Sequence, residues 1–199
     1  MNPTILTVPG WTNSGPDHWQ THWEGGNPDY CRVAQRDWDS PDPAEWIRAL
    51  EGAVSDAQSP VVLVAHSLGC IAIARWIASA SSTNRLKMAG AFLVAPCDVD
   101  QSDAAAPLRQ WRPVPSTPLP FPSLLIASQS DEYLTFARAQ ALAAAWGSEL
   151  VDAGDAGHLN SASGFGPWPE GHRWFVAFID DIIQRARQLT DDSRLPSSE

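Results

Sequence analysis

Val61-Val62-Leu63-Val64-Ala65-His66-Ser67-Leu68-Gly69-Cys70-Ile71-Ala72-Ile73-Ala74 is an apolar run interrupted by one His-Ser pair. Residues 61–65 are apolar at every position, as in a strand of a parallel sheet covered on both faces. Residues 68–80 are apolar nearly all round, which predicts a buried helix. Ser67 stands at the joint. A strand, a sharp turn carrying a serine and then a helix is the context of a nucleophile elbow. Tight packing there demands small residues two before and two after the serine, and these are Ala65 and Gly69. The common pattern has glycine at the first position, and alanine is its smallest substitute. A helix start also presents free N–H groups and partial positive charge. The Leu68 amide is therefore an expected oxyanion donor. The competing reading is a serine that only N-caps a buried helix.

Outward from this segment, short apolar runs alternate with helical patterns. Strands are predicted at 5–8, 32–35, 61–66, 90–95, 124–128 and 149–152. Asp42-Pro43-Ala44-Glu45 reads as an N-cap, a proline at the first helical position and a capping-box glutamate. Trp46, Leu50, Ala53 and Ala57 then share one face. Residues 133–146 are Ala-rich and stop at Gly147, a natural C-cap. Trp174, Phe175, Phe178, Ile179, Ile182 and Ile183 form the apolar stripe of a last helix. Alternation of strands and helices predicts an α/β fold with a mostly parallel central sheet of about six strands and right-handed crossovers. With the elbow, this is an α/β-hydrolase-type three-layer sandwich. A single domain is expected over 1–189, with a disordered polar tail at 190–199. The stretch 107–122 carries six prolines, cannot be a central strand or helix, and reads as a stiff surface connection.

A serine hydroxyl needs a base, and in this fold the order is Ser, then Asp or Glu, then His. His158 and His172 are the histidines after Ser67. His158 follows the predicted strand 149–152 in a Gly-rich loop, at the edge where ligands collect in open α/β sheets. His172 reads as a solvated residue of the last helix. Asp131 follows the strand 124–128 at the same edge. It would accept the second imidazole N–H and fix the tautomer, although it could also cap the next helix. Glu132, Asp98, Asp103 and Asp155 are rivals for the acid.

The strand 5–8 runs into Pro9-Gly10-Trp11. A loop after an early strand supplies the second oxyanion N–H in such folds, so the Trp11 amide is expected there, with Thr12 next. Thr12, Asn13, His18 and Trp19, with His66 beside the serine, are expected at the pocket wall. His18 precedes Ser67 and fits the base role poorly.

The bulk composition narrows the partners. The chain has 199 residues, 44% of them hydrophobic, and a net charge of −10. That charge repels phosphate backbones, so no nucleic acid is expected. No run approaches the roughly 18–20 apolar residues of a membrane span, and no secretory signal opens the sequence. Cys31, Cys70 and Cys97 form neither a metal-type pair nor a disulfide framework. A cytoplasmic protein with reduced thiols, no metal and no organic cofactor is expected. It would be a monomer or small homo-oligomer acting on a small molecule.

Four blocks together carry a family likeness: Pro9-Gly10 with Asn13-Ser14-Gly15-Pro16-Asp17-His18-Trp19, then Ala65-His66-Ser67-Leu68-Gly69-Cys70, then Ser128-x-x-Asp131, then Gly157-His158-Leu159-Asn160. The chain resembles the serine hydrolases related to retinoblastoma-binding protein 9 over roughly residues 4–183. The resemblance implies a small α/β-hydrolase without a large cap domain and a Ser-Asp-His triad on Ser67, Asp131 and His158. It also implies a structural hydrogen-bonding role for Asn160. The expected activity is hydrolysis of small ester, thioester or amide substrates through an acyl-enzyme, of carboxylesterase type. The alternative is a non-catalytic binding protein on the same scaffold.

Overall fold

A computed structural model describes residues 3–58 and 60–192. The described chain divides into two compact units, one running to Pro167 and one starting at Trp168.

The first unit is built on six strands: β1 (Thr4–Val8), β2 (Tyr30–Arg32), β3 (Val61–His66), β4 (Met88–Val94), β5 (Ser123–Ala127) and β6 (Glu149–Asp152). Their order is β2-β1-β3-β4-β5-β6, and every pairing is parallel. The helices are α1 (Trp19–Gly26), α2 (Pro43–Asp56), α3 (Leu68–Ser79), α4 (Ser82–Lys87) and α5 (Phe136–Trp146). Among the described residues, no large cap domain interrupts this series.

Alternate side chains of the strands serve opposite layers. Leu6, Val8, Leu63, Ala65, Leu93, Leu125 and Ala127 share one core with Trp46 and Leu50 of α2, Ile71 of α3 and Trp146 of α5. On the other face the α1 residue Trp23 packs its ring 6.3 Å from Phe92. Gln20 of α1 donates to Val64 O at 2.9 Å. The result is the expected three-layer arrangement. Local signals explain the helix ends. Asp42 caps α2 by accepting from the Glu45 amide, and Gly147 ends α5 in the left-handed conformation.

Three expectations shift. The second strand lies at 30–32 rather than 32–35, because an edge strand pairs with one neighbour only and carries no apolar run to mark it. Helix α5 starts at Phe136 rather than 133, because Thr135 accepts from the Arg138 amide and caps it there. The Pro-rich stretch is not a surface connection. It begins with a 3-10 helix (Ala106–Trp111), and Leu108, Trp111, Val114, Leu119 and Phe121 are buried in the core. Pro41 O accepts from the Trp111 indole at 2.8 Å, and Pro115 O accepts from the Trp146 indole at 2.7 Å. Paired indoles let large rings be buried without an orphaned N–H.

The second unit is α6 (Pro169–Asp192). Phe175 and Ile182 on its apolar stripe are buried, whereas Arg173, Val176, Ala177 and Asp180 are exposed. The helix runs to Asp192, so the polar segment expected from Thr190 begins inside it. Residues 193–199 of that segment lie outside the described residues. Among the described residues, no helix is long and apolar enough to cross a membrane.

Candidate active site

The sheet order reverses direction between β1 and β3. A crevice opens at such a switch point, outside the carboxyl ends of the strands. Ser67 leaves β3 there, and the loop 9–18 leaves β1 beside it.

Ser67 has φ 54° and ψ −120°, and its side chain makes no capping bond to α3. A non-glycine residue in this region costs roughly 1–3 kcal/mol. The capping alternative fails on this geometry: the hydroxyl is turned away from the helix it begins. Two close approaches explain the small residues around it. A Cβ on Gly69 would stand 2.2 Å from Val8 O, and one on Gly10 would stand 2.8 Å from Ser67 Cβ. Ala65, at the tolerant position, is a fully buried core residue of β3.

A chain of hydrogen bonds runs from Ser67 inward. His158 Nε2 lies 2.9 Å from Ser67 Oγ. On its other side, His158 Nδ1 lies 3.0 and 2.9 Å from the two Asp131 oxygens. Bonding to the carboxylate places the neutral ring's proton on Nδ1, so Nε2 is free to accept from the serine. Both side chains are secluded, His158 at 6% exposure and Asp131 at 2%. Asp131 also accepts from the Tyr133 amide at 2.8 Å. Orienting an imidazole and capping a turn are thus simultaneous.

The loops carrying these groups are laced together by serines. Ser128 Oγ donates to Gly154 O at 3.0 Å and accepts from the Ala156 amide at 2.9 Å. Ser130 Oγ accepts from the Gly157 amide at 3.1 Å. His158's own amide donates to Ser163 Oγ. Sequence reasoning quoted Ser128 without a task; a Ser-x-Ser facing a Gly-rich loop was the available signal. The rivals for the acid are elsewhere engaged or outward. Asp98 pairs with Arg138 at 3.3 Å, and Asp103, Glu132 and Asp155 are exposed. His172 lies on α6, in the second unit.

The loop after β1 separates its amides by task. Thr12 N donates to Trp38 O and Asn13 N to Gly10 O. The Thr12 amide is therefore engaged elsewhere, and the Trp11 amide stays the expected donor of this loop.

Around Ser67 is a cavity of about 250 Å³. Of the expected wall residues, Thr12, Asn13, His18 and His66 line it, and so does Trp11. Trp19 does not: its ring is fully buried, and its indole donates to Leu159 O at 2.9 Å, pinning the histidine loop from below. Tyr133, Asn160 and Ser161 line the cavity and went unforeseen as wall residues. Tyr133 packs its ring 4.5 Å from that of His158; its place two residues after Asp131 was the clue. Asn160 accepts from the Ser163 amide, a structural bond of the kind the resemblance implies.

His66 donates from Nε2 to His158 O at 2.9 Å. Burial holds this ring well below its ordinary pKa, with the neighbouring imidazoles adding to it. His18 is pushed down to about 3, by burial first and then by the Arg32 guanidinium. Both rings are neutral near pH 7. Cys97, unforeseen in the site, lies within hydrogen-bonding reach of Ser67. Burial pushes its thiol up to about 12, so it is no rival nucleophile. Among the described residues, no group of three or more His, Cys, Asp or Glu could hold a metal.

Fold and elbow together define an α/β-hydrolase. The comparisons carry this further: the chain belongs to the serine hydrolase family, whose model matches residues 5–177. It is similar to a protein of Pectobacterium atrosepticum described as a YdeN-like hydrolase. The two are 35% identical, with 91% of this chain and 92% of that one covered and a TM-score of 0.80. The ydeN gene product of Bacillus subtilis shares the fold at 19% identity and TM-score 0.69, over 90% of this chain and 100% of that one. Est1E of Butyrivibrio proteoclasticus does so at 11% and 0.64, over 94% and 89%. No curated protein matches the sequence.

Proposed function

We propose that this serine hydrolase is a carboxylesterase-type enzyme acting on small esters, thioesters or amides, with Ser67, His158 and Asp131 as its triad. The observation that carries the reading is the unbroken hydrogen-bond chain Asp131–His158–Ser67, ending at a strained serine that does not cap its helix.

In the first half-reaction Ser67 Oγ attacks the acyl carbon while His158 Nε2 takes its proton. The Leu68 and Trp11 amides hold the oxyanion. The bond to the leaving group breaks as His158 returns the proton to it, and an acyl-serine remains. Water then attacks with His158 again as base, releasing the acid. Asp131 keeps the imidazole oriented and stabilises its protonated form. No step calls for a metal or an organic cofactor. The narrower kinship with the relatives of retinoblastoma-binding protein 9 belongs to the same reading, as do a cytoplasmic setting and a small-molecule partner rather than nucleic acid.

The test is turnover of p-nitrophenyl acetate. The wild type hydrolyses it, and Ser67→Ala lowers kcat by about a thousandfold or more. Equal turnover in the two proteins would show that Ser67 is not the nucleophile, and no turnover above background by the wild type would leave the binding-protein reading in its place.

A further inference from the structure

Beyond the reacting atoms, the cavity wall has a one-sided chemistry. Asn13 Oδ1 accepts from the Ser14 amide at 2.8 Å and from Arg32 at 3.0 Å. Asn160 Oδ1 accepts from the Ser163 amide at 2.9 Å. Only an oxygen can accept from an N–H, so these partners fix both amide orientations and leave an NH2 as the free end of each. His18 obeys the same logic. Its Nδ1 accepts from the Gln20 amide at 3.2 Å, so the neutral ring carries its proton on Nε2. That nitrogen, in a ring 4% exposed, has no protein partner. A buried donor without a protein partner requires an explanation.

Equally telling is what the wall lacks. Among the described residues, no Lys, Arg, Asp or Glu lines the cavity, and no aliphatic side chain does. Arg32, the nearby cation, is paired with Glu24 at 2.8 Å. An anionic substrate would meet no counter-charge on a molecule of net charge −10. A long acyl chain would meet the rings of Trp11 and Tyr133 but no aliphatic wall along its length. The volume of about 250 Å³ is below the roughly 300–1,000 Å³ of pockets for drug-sized ligands.

We infer that the substrate is a small, neutral, oxygen-rich ester whose hydroxyl or ether oxygens accept hydrogen bonds from Asn13, Asn160 and His18. This rests on Ser67 being the nucleophile of a hydrolase. A wall of uncharged donors complements acceptors and discriminates against analogues that lack them, because the donors would then be desolvated and unpaired. The acceptor oxygens can sit in the alcohol half, as in an acylated polyol, or in the acyl half, as in a hydroxy-acid ester.

Three esters of equal size separate the cases: 1-monoacetylglycerol, ethyl glycerate and pentyl acetate. At least one of the first two is expected to exceed pentyl acetate in kcat/KM by about tenfold or more, and which one shows the half that carries the oxygens. Asn160→Asp keeps the acceptor for Ser163 and removes the NH2, and Asn13→Asp does the same for Ser14 and Arg32. Each should lower the preference for the oxygen-rich ester by about five- to tenfold. A merely structural role would slow both esters alike and leave the ratio unchanged. Pentyl acetate matching or exceeding both oxygen-rich esters overturns the inference, as does an unchanged ratio in both variants. With p-nitrophenyl acetate still turned over, either result leaves Ser67 in its role. Loss of all turnover in the wild type removes both.

Discussion

Asp131 makes two kinds of contact at once, to the imidazole of His158 and to the Tyr133 amide. Asp131→Asn keeps an oxygen for the amide but offers the imidazole an N–H as well, favouring the wrong tautomer. We expect kcat to fall by about 10⁴ with the unfolding midpoint nearly unchanged, read from ester hydrolysis and urea titration on the same sample. Gly69 is the opposite case, where stability rather than chemistry is at stake. The missing Cβ is what lets α3 pack against the Val8 carbonyl. Gly69→Ala forces backbone apart and should cost about 3 kcal/mol, measured by urea unfolding. At this scale Ser67 and His158 were legible as candidates because strand context and chain order single them out. Asp131 was not separable from its acidic rivals without distances. Trp19 misled, because a tryptophan in a loop-like motif looks the same in sequence whether it faces a pocket or pins a neighbouring loop.

Between elements, the decisive contacts are those joining the loops after β5 and β6. Ser128 is 1% exposed and bonds to three backbone groups there. Ser128→Ala removes these three bonds and takes that partner from the Ser130 amide, while Gly154 O keeps the Gln129 amide and the Ala156 amide keeps Gly154 O. It should cost about 1–3 kcal/mol of stability and slow acylation, because the spacing of His158 and Asp131 depends on that lacing. Matching stopped-flow acylation rates for wild type and variant would argue that the loops hold their places without it. The elements themselves were legible in proportion to their burial. Strand β3 is apolar at consecutive positions and its bounds are as expected. The edge strand β2 has no such run. The Pro-rich stretch hid its core role, because proline forbids regular structure but says nothing of what Leu108, Trp111 and Phe121 do between the prolines.

For the molecule as a whole, His18 and His66 couple the site to global stability. Both rings are held neutral in the fold, His18 down to about 3, while in the unfolded chain they take protons near the ordinary value of 6.5. As pH falls below about 6.5, the unfolded state binds protons that the fold refuses, so stability is full above that value and lost on acidification. Each ring contributes a slope of at most about 1.4 kcal/mol per pH unit, and for His18 the loss continues to about pH 3. Urea unfolding between pH 7.5 and about 5 should show this decline, and His18→Gln should flatten it. The overall α/β architecture was legible from the alternation of strands and helices alone. The central claim concerns one oxygen atom in this architecture. A fluorophosphonate forms a covalent bond with a serine only when a base activates it. Intact mass and peptide mapping after treatment should show a single adduct, on Ser67, absent from Ser67→Ala and much slower to form in His158→Ala. An adduct on another residue, or none on the folded wild type, would contradict the account.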